Sequence, residues 1–394
     1  MQLSAYGVQD VYLTGNPQMT FFKSVYHRHT NYSMEAVEYT FDKTNPEFGD
    51  TLRVTIPKSG DLLYRAYLQV SLADLGSGQW QPYVAHEMIK NISIYIGNVL
   101  VDKHAGLVLH NVGELIIPQS KWRAYQSMIG YPQDDSTYGM ILYIPLQFWF
   151  CRRLGSAIPL CALQHQDIRI ELELNTQAYV MTPSANNKIN YIKLYIDNIY
   201  LDFEERNKFI NNEHEYLIDQ VQTVSYSMAN VSKKDFMLPF NNAVKEILWT
   251  QRQVSKKRTD YTEEYTLDEV SLKLNGIDRF PPRSGKYFSF VQPYQHHTRA
   301  PAGEISESSP STHLPSREEP DSTSNINKQI HVYSFAEKPE ELQPSGTCNM
   351  SNLDSAVLRL TYSGNLTNSE INILALSYNI LRIKSGFCDL AFTY

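Results

Sequence analysis

The side chains that could do chemistry are few, and the most suggestive are histidines. His27 and His29 lie two residues apart, so a strand would place both on one face, as in a pair of metal ligands. No third ligand lies near them in the sequence, and we therefore interpret them as packing or surface histidines. His296 and His297 are adjacent and would point apart on an extended chain, which favours a surface position for both.

Two further pairs resemble parts of catalytic centres. Cys161 with His165 has the residue types of a thiol–imidazole pair, but no third residue that would orient the imidazole is apparent. Glu171 and Glu173 share one face of a predicted strand, opposite its apolar face, which favours a solvated surface over an acid–base pair. The sequence holds no GxGxxG after a strand, no P-loop, no GxSxG and no HExxH. We predict no catalytic, cofactor-binding or metal residues, no cofactor and no enzymatic activity.

Composition narrows the class of protein. The 394 residues predict two or three domains, and 42% hydrophobic with 20% charged residues is typical of a globular chain. Lys and Arg number 35 against 42 Asp and Glu, a net charge of −7 that argues against nucleic-acid binding. The 27 tyrosines favour strands and interfaces where a ring is buried and its hydroxyl stays hydrated.

Nothing in the sequence predicts secretion or a membrane span. The N-terminus has no basic and no apolar signal region, and the most apolar stretch, Met140 to Cys151, contains Pro145 and falls short of the roughly 20 residues of a span. We expect a soluble protein whose four scattered cysteines are free thiols in a reducing compartment. Five sequons are interpreted as chance matches to a short pattern: Asn31, Asn91, Asn230, Asn349 and Asn365.

The elements that must position these residues are mostly strands. Apolar and polar residues alternate over residues 52–56, 92–96, 168–174 and 270–274. Because successive side chains of a strand point to opposite faces, each run predicts a half-buried strand. Many short strands separated by Gly, Pro and Asn turns indicate antiparallel sandwiches or barrels. The best helical candidate is Lys103 to Ile117, ended by Pro118.

The chain also repeats a pattern once. ISIYIGNVLVD, around Ile92, is similar to VSLKLNGIDRF, around Val270, 178 residues later. DNIYL and YNILR place Asn198 and Asn379 181 residues apart. The two similar offsets suggest a duplicated β domain, with a coincidence of strand patterns as the alternative. The boundary would fall in the polar connector Glu204 to Glu215.

One segment differs in kind. Thr298 to Asn325 is rich in Ser and Pro and holds only Ile305 and Leu314 as large apolar residues. Such a composition buries too little surface to offset the entropy of ordering, which predicts a long exposed loop inside the second domain. A tolerated insertion and a docking role are both open.

Five longer stretches resemble one known family, in that family's order. They are GVQDVYLTGNPQMTFFKSVYHRHTNYS (7–33), PKSGDLLYRAYLQV (57–70), IPLQFWFCRRLGSAIPLCALQHQDIRIELEL (144–174), VYSFAEKPEELQPSGTCNMSNLDSAVLRL (332–360) and YNILRIKSGFCDLAFTY (378–394). In these segments the chain resembles the major capsid proteins of nucleocytoplasmic large DNA viruses, and the resemblance covers nearly the whole sequence.

The resemblance implies an all-β fold of two tandem eight-stranded antiparallel jelly rolls, a double jelly roll, with short helices in loops. It implies an N-terminal inward-facing segment (1–30), jelly roll 1 (31–208) and jelly roll 2 (209–394), the last containing the flexible loop 298–325. It further implies a homotrimer that forms pseudo-hexagonal capsomers tiling an icosahedral shell. The protein would lie in the outer capsid of the virion after assembly in the host cytoplasm.

Partners follow from the same resemblance. They are other copies of the chain, neighbouring capsomers and minor capsid proteins on the inner face. In the family an internal membrane lies between shell and genome, so we expect no direct nucleic-acid contact and only an indirect relation to the membrane. We expect residues 7–33 to run beneath the barrels, with four aromatic anchors (Tyr12, Phe21, Phe22 and Tyr26) and a basic trio (His27, Arg28 and His29) that meets minor proteins or packs within the trimer.

Two segments are expected to hold the barrel cores and corner loops, PLQFWF (145–150) and QPSGTCNMS (343–351). In the second, Pro344 and Gly346 are turn residues, and Ser345, Thr347 and Asn349 can bond backbone groups of the loop. The alternatives are a minor or vertex-associated double jelly-roll paralogue and, more distantly, a β-sandwich lectin or hydrolase. The last would need a concave polar pocket or a metal constellation.

Overall fold

A computed structural model of the chain describes residue 3 and residues 5–76, 78–131, 138–181, 188–253, 265–301 and 330–392. Most of the predicted Ser/Pro loop, from residue 302 onward, lies outside the described residues. The described strands fall into four sheets, two in each half of the chain.

The described residues of the first half form nine strands in two sheets. One sheet has the order β1-β9-β3-β6 with the short β7 paired to β3, and the other has the order β2-β8-β4-β5. The strands are β1 (Tyr32–Thr40), β2 (Thr51–Ile56), β3 (Leu62–Leu72), β4 (Ile89–Ile96), β5 (Val99–His104), β6 (Met140–Pro145), β7 (Ile158–Pro159), β8 (Ile168–Leu174) and β9 (Ile189–Leu201).

The second half repeats this arrangement. Its sheets have the orders β10-β18-β12-β15, with β16 paired to β12 and β19 paired to β18, and β11-β17-β13-β14. The strands are β10 (His214–Met228), β11 (Val231–Met237), β12 (Ala243–Gln253), β13 (Leu267–Leu274), β14 (Ile277–Asp278), β15 (His331–Ser334), β16 (Cys348–Asn349), β17 (Ala356–Leu366), β18 (Ser369–Lys384) and β19 (Phe387–Leu390).

The strand orders of the two halves correspond position by position, so the prediction of two tandem antiparallel jelly rolls is confirmed. The sequence matches that suggested duplication fall on corresponding strands. Ile92 and Val270 lie on β4 and β13, and Asn198 and Asn379 lie on β9 and β18. Two independent matches on corresponding strands favour duplication over coincidence.

Helices are short and occupy the connections: α1 (Val11–Thr14), α2 (Val84–Met88), α3 (Gly106–Ile116), α4 (Gln119–Met128), α5 (Trp149–Arg152), α6 (Gln177–Val180), α7 (Phe203–Asn211) and α8 (Gln292–His296), the last preceded by a π-helical turn (Tyr287–Val291). The predicted helix over 103–117 is confirmed as α3, although its first two residues belong to β5. Pro118 ends α3 and is the N-cap of α4, a helix that the sequence reading missed.

The predicted alternation places the core between the sheets. On β2 the residues Leu52, Val54 and Ile56 are buried and those between them are exposed. On β8 four buried apolar residues alternate with half-buried polar ones. Each fully buried aliphatic side chain contributes roughly 1.5–3 kcal/mol, so the two inner faces of each half provide its main stabilisation.

Candidate assembly interface

The two halves meet through an apolar contact formed by a helix of the first and a sheet of the second. Helix α3 lies on the outer face of the sheet β10-β18-β12-β15, where a third buried cluster joins both halves. Its members are Val108, Val112 and Leu115 from α3, and Leu248, Ile330, Val332, Leu374 and Leu376 from the second half. All eight side chains are at most 2% exposed, so the halves form a continuous packed body.

A buried polar chain lies beside this apolar contact. The Arg299 guanidinium forms an ion pair with Glu114 at 2.7 Å and lies 3.5 Å from the centre of the Trp122 ring. Its backbone N–H also donates to the carbonyl oxygen of Leu115. The Glu114 side chain is 0% exposed, so loss of this ion pair would leave a buried carboxylate without its arginine. Arg299 therefore fixes the start of the Ser/Pro segment to the helices of the first half.

The polar chain continues through the first half. His110 lies 3.5 Å from Glu114, and its Nδ1 lies 3.1 Å from Nδ1 of His86. His86 Nε2 in turn lies 3.1 Å from the Tyr125 hydroxyl. Burial and the charge of His110 lower the pKa of His86 well below its ordinary value, and burial raises the pKa of Tyr125. His86 is therefore a neutral hydrogen-bonding group at neutral pH.

His297 is a buried charged group, which corrects the prediction that it lies at the surface. Its side chain is 1% exposed and lies 2.9 Å from both Glu246 and Glu340. Burial alone lowers its pKa, but the charge of Glu246 and the hydrogen bond to Glu340 outweigh burial and raise it to about 9. Periodicity could not show this, because both carboxylates lie more than forty residues away in the chain. His296 contacts the carbonyl oxygen of Glu337 and is half-buried, so the predicted surface position holds for it only in part.

A second contact between the halves joins β5 to β10. The Gln220 side chain donates to the carbonyl oxygen of Val101, and the backbone N–H of Val221 donates to Asp102. Asp219 on the same strand pairs with Arg152 of the first half at 3.0 Å and with the fully buried Lys245 at 2.9 Å. Backbone and charged groups of β10 therefore find hydrogen-bond and ion-pair partners in both halves.

Unlike the buried contacts between the halves, the segment before β1 is exposed to solvent. Every residue from 5 to 31 except Asp10 is exposed. The aromatic residues predicted as anchors include Tyr12, Phe21 and Phe22, which are 92%, 88% and 99% exposed. Large apolar side chains at such exposure are typical of a surface that another molecule covers. His27 and His29 lie in this same exposed segment, and His29 contacts Tyr32 edge to face.

The other predicted candidates do not form a reactive centre. Burial and the charge of Asp61 raise the pKa of the Cys161 thiol to about 11, which keeps it protonated. The His165 ring instead packs at a tilt against Phe387. Glu171 pairs with Arg53 at 2.7 Å on the outer face of β8, in agreement with the predicted solvated face. In the ranges that the structure describes, no group of three or more His, Cys, Asp or Glu residues could hold a metal ion.

The two segments expected to support the cores do so where the structure shows their contacts. Phe148, Trp149 and Phe150 are at most 3% exposed, and the rings of Phe148 and Phe150 stack. Ser345 accepts a hydrogen bond from the backbone of Lys338, and Asn349 accepts one from the backbone of Ser351. These contacts confirm the predicted roles of Ser345 and Asn349.

Comparison with solved structures defines the class of protein. The chain is similar to a chain of the PBCV-1 virus capsid, with a TM-score of 0.82 and 27% identity over 95% of this chain and 100% of that one. The Faustovirus major capsid protein has the same fold, with a TM-score of 0.74 and 13% identity over 96% of this chain and 94% of that one. The fold is that of the double jelly-roll capsid proteins.

Sequence comparison then gives the family. The family model of the large eukaryotic DNA virus major capsid protein matches residues 205–329 and 322–388, and the model of the major capsid protein N-terminus matches residues 20–202. The chain is 43% identical to the major capsid protein of Pyramimonas orientalis virus over all of this chain and 98% of the relative. It is 31% identical to that of Paramecium bursaria Chlorella virus 1, over 99% and 98% of the two chains. The chain belongs to the family of large eukaryotic DNA virus major capsid proteins.

Membership of this family confirms several predictions. The family is structural, so the predicted non-enzymatic capsid protein of the virion is confirmed. The distant alternative of a lectin or hydrolase is thereby set aside. Among the helices in the described ranges, none is both long and apolar enough to cross a membrane.

Proposed function

We propose that the chain is the major subunit of an icosahedral capsid and assembles as a homotrimer. The observation that carries this proposal is the repeated topology: two corresponding jelly rolls per chain, joined by a buried interface. Three such chains give six similar barrels around a three-fold axis, a pseudo-hexagonal block that can tile a flat lattice. The full-length similarity to proteins named major capsid protein supports the same role.

The proposal also assigns the domain bounds, the inward-facing segment, the partners and the place of assembly. Residues 31–208 and 209–394 form the two jelly rolls, with α7 between β9 and β10, and residues 1–30 face the particle interior. The exposed aromatic residues of that segment bind neighbouring copies or minor capsid proteins. Trimers contact neighbouring capsomers, and assembly takes place in the host cytoplasm. The net charge of −7 supports a shell that makes no direct contact with nucleic acid.

Copy number distinguishes the major subunit from a minor or vertex-associated paralogue. Quantitative mass spectrometry of purified virions, with isotope-labelled reference peptides from both halves, is expected to show this chain as the most abundant protein. Peptides from the two halves should give the same copy number, which is the internal control. A copy number comparable to the number of vertices would contradict the major role and favour the paralogue.

A further inference from the structure

The internal repeat gives each half two surfaces that can meet a neighbour. One is the helical connection after the fifth strand, which is α3 in the first half and residues 287–296 in the second. The other is the outer face of the sheet that begins with the first strand of the half, which is β1-β9-β3-β6 in the first half and β10-β18-β12-β15 in the second. Inside one chain, α3 covers the sheet face of the second half. This contact within the chain uses neither the helical connection of the second half nor the sheet face of the first half. These two surfaces are therefore left to meet another copy.

The remaining sheet face, which we call the tyrosine face, corresponds to the face covered by α3. Lys193 on β9 lies five residues before the buried Asn198, and Leu374 on β18 lies five residues before the buried Asn379. The residues opposite Lys193 and Leu374 on the neighbouring third strands are Gln69 and Leu248. On the next strands, Tyr143 lies opposite Gln69 and Val332 lies opposite Leu248. The tyrosine face consists of Tyr67, Gln69, Ile141, Tyr143, Lys193 and Tyr195.

The two corresponding faces carry different types of side chain, because one is buried within its own chain and the other is exposed to water before assembly. The covered face presents aliphatic residues that are permanently buried by their own chain. The tyrosine face must remain hydrated until a partner arrives, and tyrosine combines a large apolar ring with a hydroxyl that stays in water. Ile141 is 52% exposed and Tyr143 is 38% exposed, so the face has apolar area to bury.

The tyrosine face is also preorganised. The rings of Tyr67 and Tyr195 stack at 5.1 Å with an angle of 6°, and Tyr143 packs beside Tyr67. The Tyr195 hydroxyl donates to Glu38 at 2.6 Å, and the Gln69 amide donates to the Tyr143 hydroxyl at 3.2 Å. Side chains held in place before binding lose little entropy on association.

The helical connection of the second half presents apolar side chains to solvent. Phe290 and Val291 are 39% and 38% exposed, and Tyr294 is 82% exposed. The opposite side of this connection is held in its own half, where Phe288 is fully buried and contacts Trp249. Residues 287–296 therefore form an anchored apolar ridge, as α3 does in the first half.

We propose that the ridge 287–296 of one copy packs on the tyrosine face of the next copy, with Phe290, Val291 and Tyr294 as its contacts. This contact repeats between chains the one that α3 makes within a chain. It joins two different surfaces, so three copies can close into a ring. The inference rests on the homotrimer proposed above and assigns the surfaces that build it.

The test is site-specific photocross-linking of the assembled full-length protein, with benzoylphenylalanine in place of Tyr294. A control protein carries the same probe at Ile277, which is 71% exposed on β14 of the opposite sheet. After irradiation of the trimer fraction, the Tyr294 probe is expected to give a band of two chain masses on a denaturing gel. Mass spectrometry should map the link to β3, β6 or β9, with a yield many-fold above that of the Ile277 probe to these strands.

The possible outcomes separate this inference from the proposed function. If the protein is trimeric but the Tyr294 probe links only to its own chain or to other segments, such as the N-terminal residues of a neighbour, the assigned surfaces are wrong and the trimer stands. If the protein carrying either probe and the unmodified chain are all monomeric, the trimer and the assigned surfaces are both wrong.

Discussion

Replacing Arg299 by alanine is expected to lower the free energy of unfolding by about 3–5 kcal/mol, because the fully buried Glu114 carboxylate loses its ion-pair partner. The substitution also removes the cation over the Trp122 ring and loosens the contact between the halves. The loss should appear as a lower midpoint in urea unfolding, followed by tryptophan fluorescence at one fixed protein concentration.

The matched control is another arginine in an ion pair, Arg382. It pairs with Glu215 at 2.8 Å, but the two side chains are 57% and 62% exposed, so Arg382→Ala should cost less than about 1 kcal/mol. Adding Glu114→Gln to Arg299→Ala should recover part of the loss, since the buried side chain that has lost the arginine is then uncharged. Equal losses for Arg299→Ala and Arg382→Ala would show that the buried pair does not hold the halves together.

The stability of the protein is expected to fall between pH 6.5 and pH 9 because of His297. Its pKa is raised to about 9 in the folded protein, so folding favours the protonated form. The resulting stabilisation is fully present below the ordinary pKa of about 6.5 and is lost as the pH rises through 9, with a size of about 3 kcal/mol. The groups that face the imidazole are the carboxylates of Glu246 and Glu340, and Thr298 bonds the second of these.

The measurement is the free energy of unfolding of the wild type and of His297→Gln at pH 6 and pH 10. The variant should be less stable at pH 6, and the difference should shrink strongly by pH 10, where the wild-type imidazole is neutral. His296→Gln is the control, because His296 is only half-buried and its imidazole contacts a carbonyl oxygen, that of Glu337, and not a carboxylate. A difference between wild type and His297→Gln that does not change with pH would contradict the buried imidazolium.

Local patterns predicted the parts of the fold that depend on neighbouring residues. Alternation located β2, β4, β8 and β13, since the apolar face of each packs on a core, although Ser93 on β4 and Ser271 on β13 are buried on the opposite face. The aromatic run 148–150 was correctly expected to support a barrel core, and its three side chains are at most 3% exposed. The repeated asparagines marked corresponding strands at the right offset.

What the sequence could not predict are contacts between residues far apart in the chain. Arg299 and Glu114 are separated by 185 residues, and no periodicity relates them. His297 was assigned to the surface because adjacent histidines on an extended chain point apart, whereas its partners come from β12 and from the segment around Glu340. Helix α4 was missed because only Trp122 and Tyr125 of its ten residues are buried, too few for a visible apolar stripe.

The most direct test of a capsid subunit built from two joined jelly rolls is the mass of the purified full-length protein in solution. Size-exclusion chromatography with light scattering is expected to give the mass of three chains, stable on dilution. Electron microscopy of the same fraction should show six similar densities around a three-fold axis. A protein that has the mass of one chain at every concentration, or a particle with two-fold symmetry, would contradict the proposed assembly.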